Sequence, residues 1–148
     1  MMKACTFIGH RDFQTNKYDE IYNEIEKLII EKKVNVFYVG TNGNFDRLVY
    51  KALVEIEKHY DIKYWLVLAY LNIKKENIYY DMNKTIFPQE LEKTPLRFAI
   101  SVRNKYMIKK SQYMICGINN TFTNSYNFVK LALNKNLTVI NVGNFQIK

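Results

Sequence analysis

Residues 34–46 read VNVFYVGTNGNFD, and this stretch decides the fold. Val34 to Val39 is a β-branched and aromatic run closed by Gly40, which reads as a strand. From Phe45 to Tyr60 the residues Leu48, Val49, Ala52, Leu53 and Ile56 share one helical face. A strand, a short polar loop with two glycines, and a helix therefore follow one another. Upstream the same unit occurs again: Lys3 to Ile8 (KACTFI) ends in Gly9, and residues 17–32 carry Ile21, Ile25, Leu28 and Ile29 at helical spacing. Downstream, Tyr64 to Tyr70 is nearly continuous in apolar residues, as a strand covered on both faces should be. A less regular stretch runs from Asn72 to Pro88. Thr94-Pro95 then reads as a helix start, with threonine to cap it and proline at the first position, and the helix is expected to reach about Lys110. Tyr113 to Ile118, Ser125 to Asn134 and Leu137 to Val142 continue as strand, helix and strand. Such alternation predicts an α/β fold: one Rossmann-like three-layer domain over residues 1–148, with a mostly parallel sheet of about five strands.

Composition agrees with a single packed core, since 48% of the 148 residues are apolar and 15% aromatic. No Gly-, Ser- or Pro-rich linker and no repeat divides the chain. The apolar run from Tyr64 to Leu71 is far shorter than the roughly 20 residues of a membrane-spanning helix, so no membrane partner is expected. The first residues lead straight into a strand without an apolar leader, so a cytoplasmic location is expected. Cys5 and Cys116, each in an apolar run, are expected to be buried thiols. The wealth of Lys, Asn, Ile and Tyr suggests an AT-rich genome such as that of a low-GC bacterium or its phage. Charge is distributed unevenly. Residues 93–148 hold nine of the 22 Lys and Arg residues and none of the 14 carboxylates. A basic block of this kind favours anionic partners, either phosphates in a pocket or a nucleic-acid backbone.

In a sheet of this type ligands bind outside the carboxyl ends of the strands, so the loops there are the candidate sites. Gly9-His10-Arg11 follows the first strand: the glycine allows close backbone approach, the arginine offers a planar fork for phosphate, and His10 could donate to the same anion. An ordinary turn with two polar neighbours is the competing interpretation. Gly40-Thr41-Asn42-Gly43 leads to a helix N-terminus and can cradle an anion or a ribose with backbone N–H groups. Asp46 in the first turn of that helix could accept a ribose hydroxyl or simply complement the helix dipole. Arg97, Arg103 and Asn104 lie on the helix starting at Pro95; the arginines could grip different groups of a ligand or equally be surface residues, in a region short of carboxylate partners. Asn119, Thr123, Asn124 and Ser125 belong to a hydroxyl- and amide-rich loop that can cap its helix and hold phosphate with the same groups. No GxGxxG or GK[ST] motif is present, which argues against Walker-type hydrolysis. No residues have metal-ligand spacing, no cofactor is implied, and no Ser/His/Asp set stands out.

Several motifs resemble a known family. Thr6-Phe7-Ile8-Gly9-His10-Arg11, the Gly40 to Asp46 loop, Thr85-Ile86-Phe87-Pro88, Arg97-Phe98-Ala99-Ile100 and Arg103-Asn104-Lys105-Tyr106-Met107 resemble the YpsA-like branch of the SLOG superfamily over nearly the whole chain. Its relatives include sensors of ADP-ribose-like signals, the Lonely Guy phosphoribohydrolases and the DNA-processing protein A family. The resemblance implies a nucleotide-type pocket built from the first, second and fourth loops with the Arg103 helix beneath them, and a homodimer. In one respect this chain departs from the pattern: Thr123-Asn124-Ser125 stands where relatives have a glycine pair, and the following helix lacks the acidic residue of the hydrolytic members. Glycosidic cleavage needs a carboxylate, which here must come from the first 92 residues, with Asp46 the foremost candidate. The leading expectation is a module that senses or sequesters a nucleotide-derived, phosphate-bearing small molecule such as an ADP-ribose-type signal, in phage or bacterial defence or anti-defence. The alternatives are a nucleotide N-glycosidase or phosphoribohydrolase, and a nucleic-acid binder using basic residues with Tyr106, Tyr113 and Tyr126.

Overall fold

Neighbouring residues along each strand face opposite ways, and here the two sets enter two separate cores. In the computed structural model, which describes residues 2–147, the strands are β1 (Ala4–Gly9), β2 (Val36–Val39), β3 (Lys63–Val67), β4 (Thr85–Ile86), β5 (Tyr113–Gly117) and β6 (Thr138–Asn141). Four helices accompany them among the described residues: α1 (Tyr18–Lys32), α2 (Asn44–Glu57), α3 (Ala99–Lys109) and α4 (Asn124–Asn134). Cys5, Phe7, Phe37, Val39, Leu66 and Ile115 pack against Ile21, Ile25 and Leu28 of α1 and Val49, Leu53 and Ile56 of α2. The alternate residues Ala4, Ile8, Val36, Tyr38, Met114 and Cys116 pack against Met107 and Ile108 of α3 and Val129 and Ala132 of α4. The result is a three-layer α/β fold. Cys5 and Cys116 are buried as free thiols. No helix among the described residues is long and apolar enough to cross a membrane.

All pairings are parallel, and the strand order is β4-β3-β2-β1-β5-β6. The chain winds outward from β1 to β4, crosses the opposite face through α3, and resumes at β5 on the other side of β1. The order thus reverses between β1 and β5, and the crevice beyond their carboxyl ends is where such folds admit ligands.

Three details differ from the expectation. The sheet has six strands rather than about five, because Thr85 and Ile86 pair with Leu66 and Val67 inside the stretch read as irregular. A two-residue edge strand has too short a pattern to show alternation. Thr94 does not cap a helix: its hydroxyl donates to the Glu90 carbonyl at 2.7 Å. The residues after Pro95 first form a 3-10 turn, Leu96–Phe98, so Arg97 lies on this turn and not on α3.

Candidate functional site

The carboxyl end of β1 opens into a cleft of about 760 Å³ that extends between α3 and α4. Its apolar floor is made by Ile8, Met107, Phe128 and Leu131, and its polar rim by Arg11, Asn42, Arg97, Ser101, Lys105, Asn124, Ser125 and Asn127. Arg103, Asn104 and Asp46 close the inner end. Arg11, Arg97 and Lys105 are exposed, so three cations line the opening. Asp46 is the one carboxylate among the described residues lining it.

The inner end is a fixed network. Arg103 is 2% exposed, yet its guanidinium is well supplied with acceptors. Nε donates to Asn104 Oδ1 at 2.8 Å, Nη1 to the Val67 carbonyl at 3.1 Å and Nη2 to Asn42 Oδ1 at 3.0 Å. None of these acceptors is a carboxylate. The partners are a strand-end carbonyl and amide oxygens, so Arg103 ties α3 to the end of β3 and to the β2–α2 loop. Gly40 makes this approach possible: a Cβ there would lie 2.7 Å from Arg103 Nη1 and 2.9 Å from Asp46 Oδ2. Asp46 accepts the Asn42 backbone N–H at 2.9 Å. Burial pushes its carboxyl up to about 6, against the opposing pull of Arg103, the Asn42 amide and Arg11.

Other candidates make their contacts within the protein or face elsewhere. A Cβ on Gly9 would collide with the Phe45 ring, so this glycine makes room for a core aromatic. His10 is buried, and its Nε2 accepts the Asn119 backbone N–H at 2.8 Å, bracing the first loop against the fourth. Burial lowers its pKa despite the nearby Asp12, which suits a neutral acceptor and not a donor to an anion. The Asn119 side chain pairs with Gln14, donating at 2.8 Å and accepting at 3.2 Å, and so is committed away from the cleft. Thr123 precedes α4 but makes no capping bond, and its hydroxyl is buried without a partner. The Ser125 hydroxyl donates to the Gly9 carbonyl at 3.2 Å, which fastens the start of α4 to the end of β1. Thr41 and Gly43 face a neighbouring cleft.

The structure thus brings Gly9, Arg11, Asn42, Asp46, Arg97, Arg103, Asn104, Asn124 and Ser125 to one cleft. The sequence reading missed Ser101, Lys105 and Asn127. On α4 the lining residues Asn124, Asn127, Phe128 and Leu131 follow i, i+3, i+4, i+7 spacing, a helical stripe that becomes meaningful once α3 is known to lie opposite. Tyr106, Tyr113 and Tyr126 are partly buried and pack against the two cores. No group of three or more His, Cys, Asp or Glu residues that could hold a metal ion occurs among the described residues.

A Rossmann-like parallel sheet with its order reversing at β1 and β5, and a cleft at that switch point, defines the class of fold. Solved structures share it. DNA processing protein A from Streptococcus pneumoniae superposes with a TM-score of 0.71 at 14% identity, over 95% of this chain and 50% of that one. The molybdenum cofactor carrier protein from Chlamydomonas reinhardtii superposes at 15% identity in two structures. Their TM-scores are 0.59 and 0.54, over 94% and 99% of this chain and 76% and 78% of theirs. This chain therefore spans half the length of the DNA processing protein A chain. No family model and no curated protein matches the sequence.

Proposed function

We propose that this protein binds a nucleotide-derived, phosphate-bearing small molecule in the cleft between α3 and α4, and so senses or sequesters it. One observation carries this reading: Arg11, Arg97 and Lys105 ring a cleft with an apolar floor and a single, partly neutralised carboxylate. The floor suits a base and the rim suits phosphate. Among the structures of similar fold, one is by its name a carrier of the molybdenum cofactor, and holding a small molecule fits this site as well.

Calorimetry against ADP-ribose, cyclic ADP-ribose isomers, NAD and nucleoside monophosphates tests the proposal. Saturable binding is expected, weakened about tenfold in Arg97→Ala and in Lys105→Ala, the loss of one charge-assisted contact each. Silence across the panel would remove the reading.

Asp46 supports a second reading. A buried carboxyl pushed up to about 6 at the inner end of a cleft is suited to general acid or base work, as in an N-glycosidase. Release of free base from nucleoside monophosphates, abolished in Asp46→Asn, would favour it; intact nucleotide after prolonged incubation would exclude it.

A further inference from the structure

Arg11 and Asn42 form a saddle with a second cleft, of about 470 Å³, on its other side. This cleft lies between the β2–α2 loop and the chain connecting β3 to β4, and it differs in character from the first. Arg11, Arg47 and Lys74 line it without any carboxylate, and Ile73 is its one aliphatic side chain, so nothing in it matches the floor between α3 and α4. Among the described residues none of these three cations takes part in an ion pair. Arg47 is also held in place. Its guanidinium stacks 4.2 Å from the Tyr79 ring centroid, and Tyr50 and Tyr80 meet that ring edge to face. A guanidinium stacked by its face keeps its N–H edge free to donate. Gly43, on the same cleft, precedes the first residue of the 14-residue α2, so the positive end of that helix adds to the field. Like charges gathered in a cleft repel one another, and a compact multianion relieves that repulsion.

We infer that the second cleft is a separate site for a small inorganic multianion of the pyrophosphate type, and that its occupant antagonises binding in the first cleft. The antagonism follows from Arg11, which lines both clefts and whose planar fork grips one anion bidentately at a time. That half rests on the reading of the first cleft given above; the anion site itself does not.

Calorimetry with pyrophosphate at fixed ionic strength, on the wild type, Lys74→Ala, Arg47→Lys and Lys105→Ala, tests the site. Lys74 is exposed, and Arg47→Lys keeps the charge while losing the fork, so both variants should fold. The wild type should bind one pyrophosphate saturably, about tenfold more weakly in Lys74→Ala and in Arg47→Lys, with no change in Lys105→Ala, whose side chain belongs to the first cleft. Absence of saturable binding overturns the site. So do losses of equal size in all three variants, the mark of a general charge effect, and so does a loss confined to Lys105→Ala, because pyrophosphate would then occupy the first cleft. Titrating AMP with and without saturating pyrophosphate tests the antagonism, and AMP affinity should fall about tenfold when pyrophosphate is present. An AMP affinity indifferent to pyrophosphate overturns the antagonism and leaves the anion site standing. Failure of AMP to bind at all overturns the reading of the first cleft, and the antagonism with it, while the pyrophosphate titrations still decide the second.

Discussion

Asp46 illustrates how much of this site depends on where a single side chain sits. Two readings of it were open in the sequence, ribose acceptor or dipole complement, and the structure adds a third property, a carboxyl raised from 3.8 to about 6, chiefly by burial. An acid whose folded-state value lies above its unfolded one favours the protonated fold. Its contribution is fully present below pH 3.8 and is lost as pH rises through about 6, a swing on the order of 2–3 kcal/mol. The stability of Asp46→Asn relative to wild type should therefore improve between pH 4 and pH 7, as read from urea unfolding at each pH. The same titration acts on binding. Ionised Asp46 opposes an incoming anion, so affinity for a diphosphate diester, which has no ionisation of its own near pH 6, should fall over this interval in the wild type and stay flat in the variant. Calorimetry at pH 5 and pH 7 checks this; a flat wild-type profile would contradict it. Arg103, His10 and Asn119 carry the complementary lesson. Each is a polar residue in the expected place, yet its bonds go to the protein, and only the three-dimensional partners distinguish a ligand contact from a brace.

At the scale of elements, the loop from Gly40 to Gly43 connects the two clefts, and its shape depends on Gly43. That residue has φ of 94°, and a Cβ on it would lie 2.5 Å from Arg11 Cα. Gly43→Ala combines left-handed strain with a backbone clash, so a cost of at least about 1 kcal/mol is expected. Because the displaced residue is Arg11, the variant should also weaken binding in the cleft between α3 and α4; unchanged affinity and melting temperature would show that the loop is not held as described. The long amphipathic helices and apolar strands of this fold were legible because their periods run for many residues. β4 was not, being only two residues long at a sheet edge, and the start of α3 was misread because Thr94 turns back to Glu90 before the helix begins. The groove between α3 and α4 was hidden for a different reason. Ser101, Lys105 and Asn127 sit on helix faces whose role depends on a crossover that brings β5 alongside β1, information carried by topology and not by local pattern.

For the whole molecule, the uneven charge of the sequence acquires a location. The carboxylate-free segment from residue 93 onward includes α3 and α4, the two walls of the cleft, while Arg11 and the β2–α2 loop arrive from the nearly neutral first part of the chain. A sheet whose order reverses at β1 and β5 brings these distant segments to one rim, and the same reversal explains why the ligand loops could be anticipated before the walls could. The most direct test is amide chemical-shift mapping by NMR during titration with ADP-ribose. The account predicts saturable shifts confined to residues 9–11, 40–46, 97–107 and 124–131. Shifts that fail to saturate, or that fall on α1 and the outer edge of β6 while this rim stays silent, would contradict it.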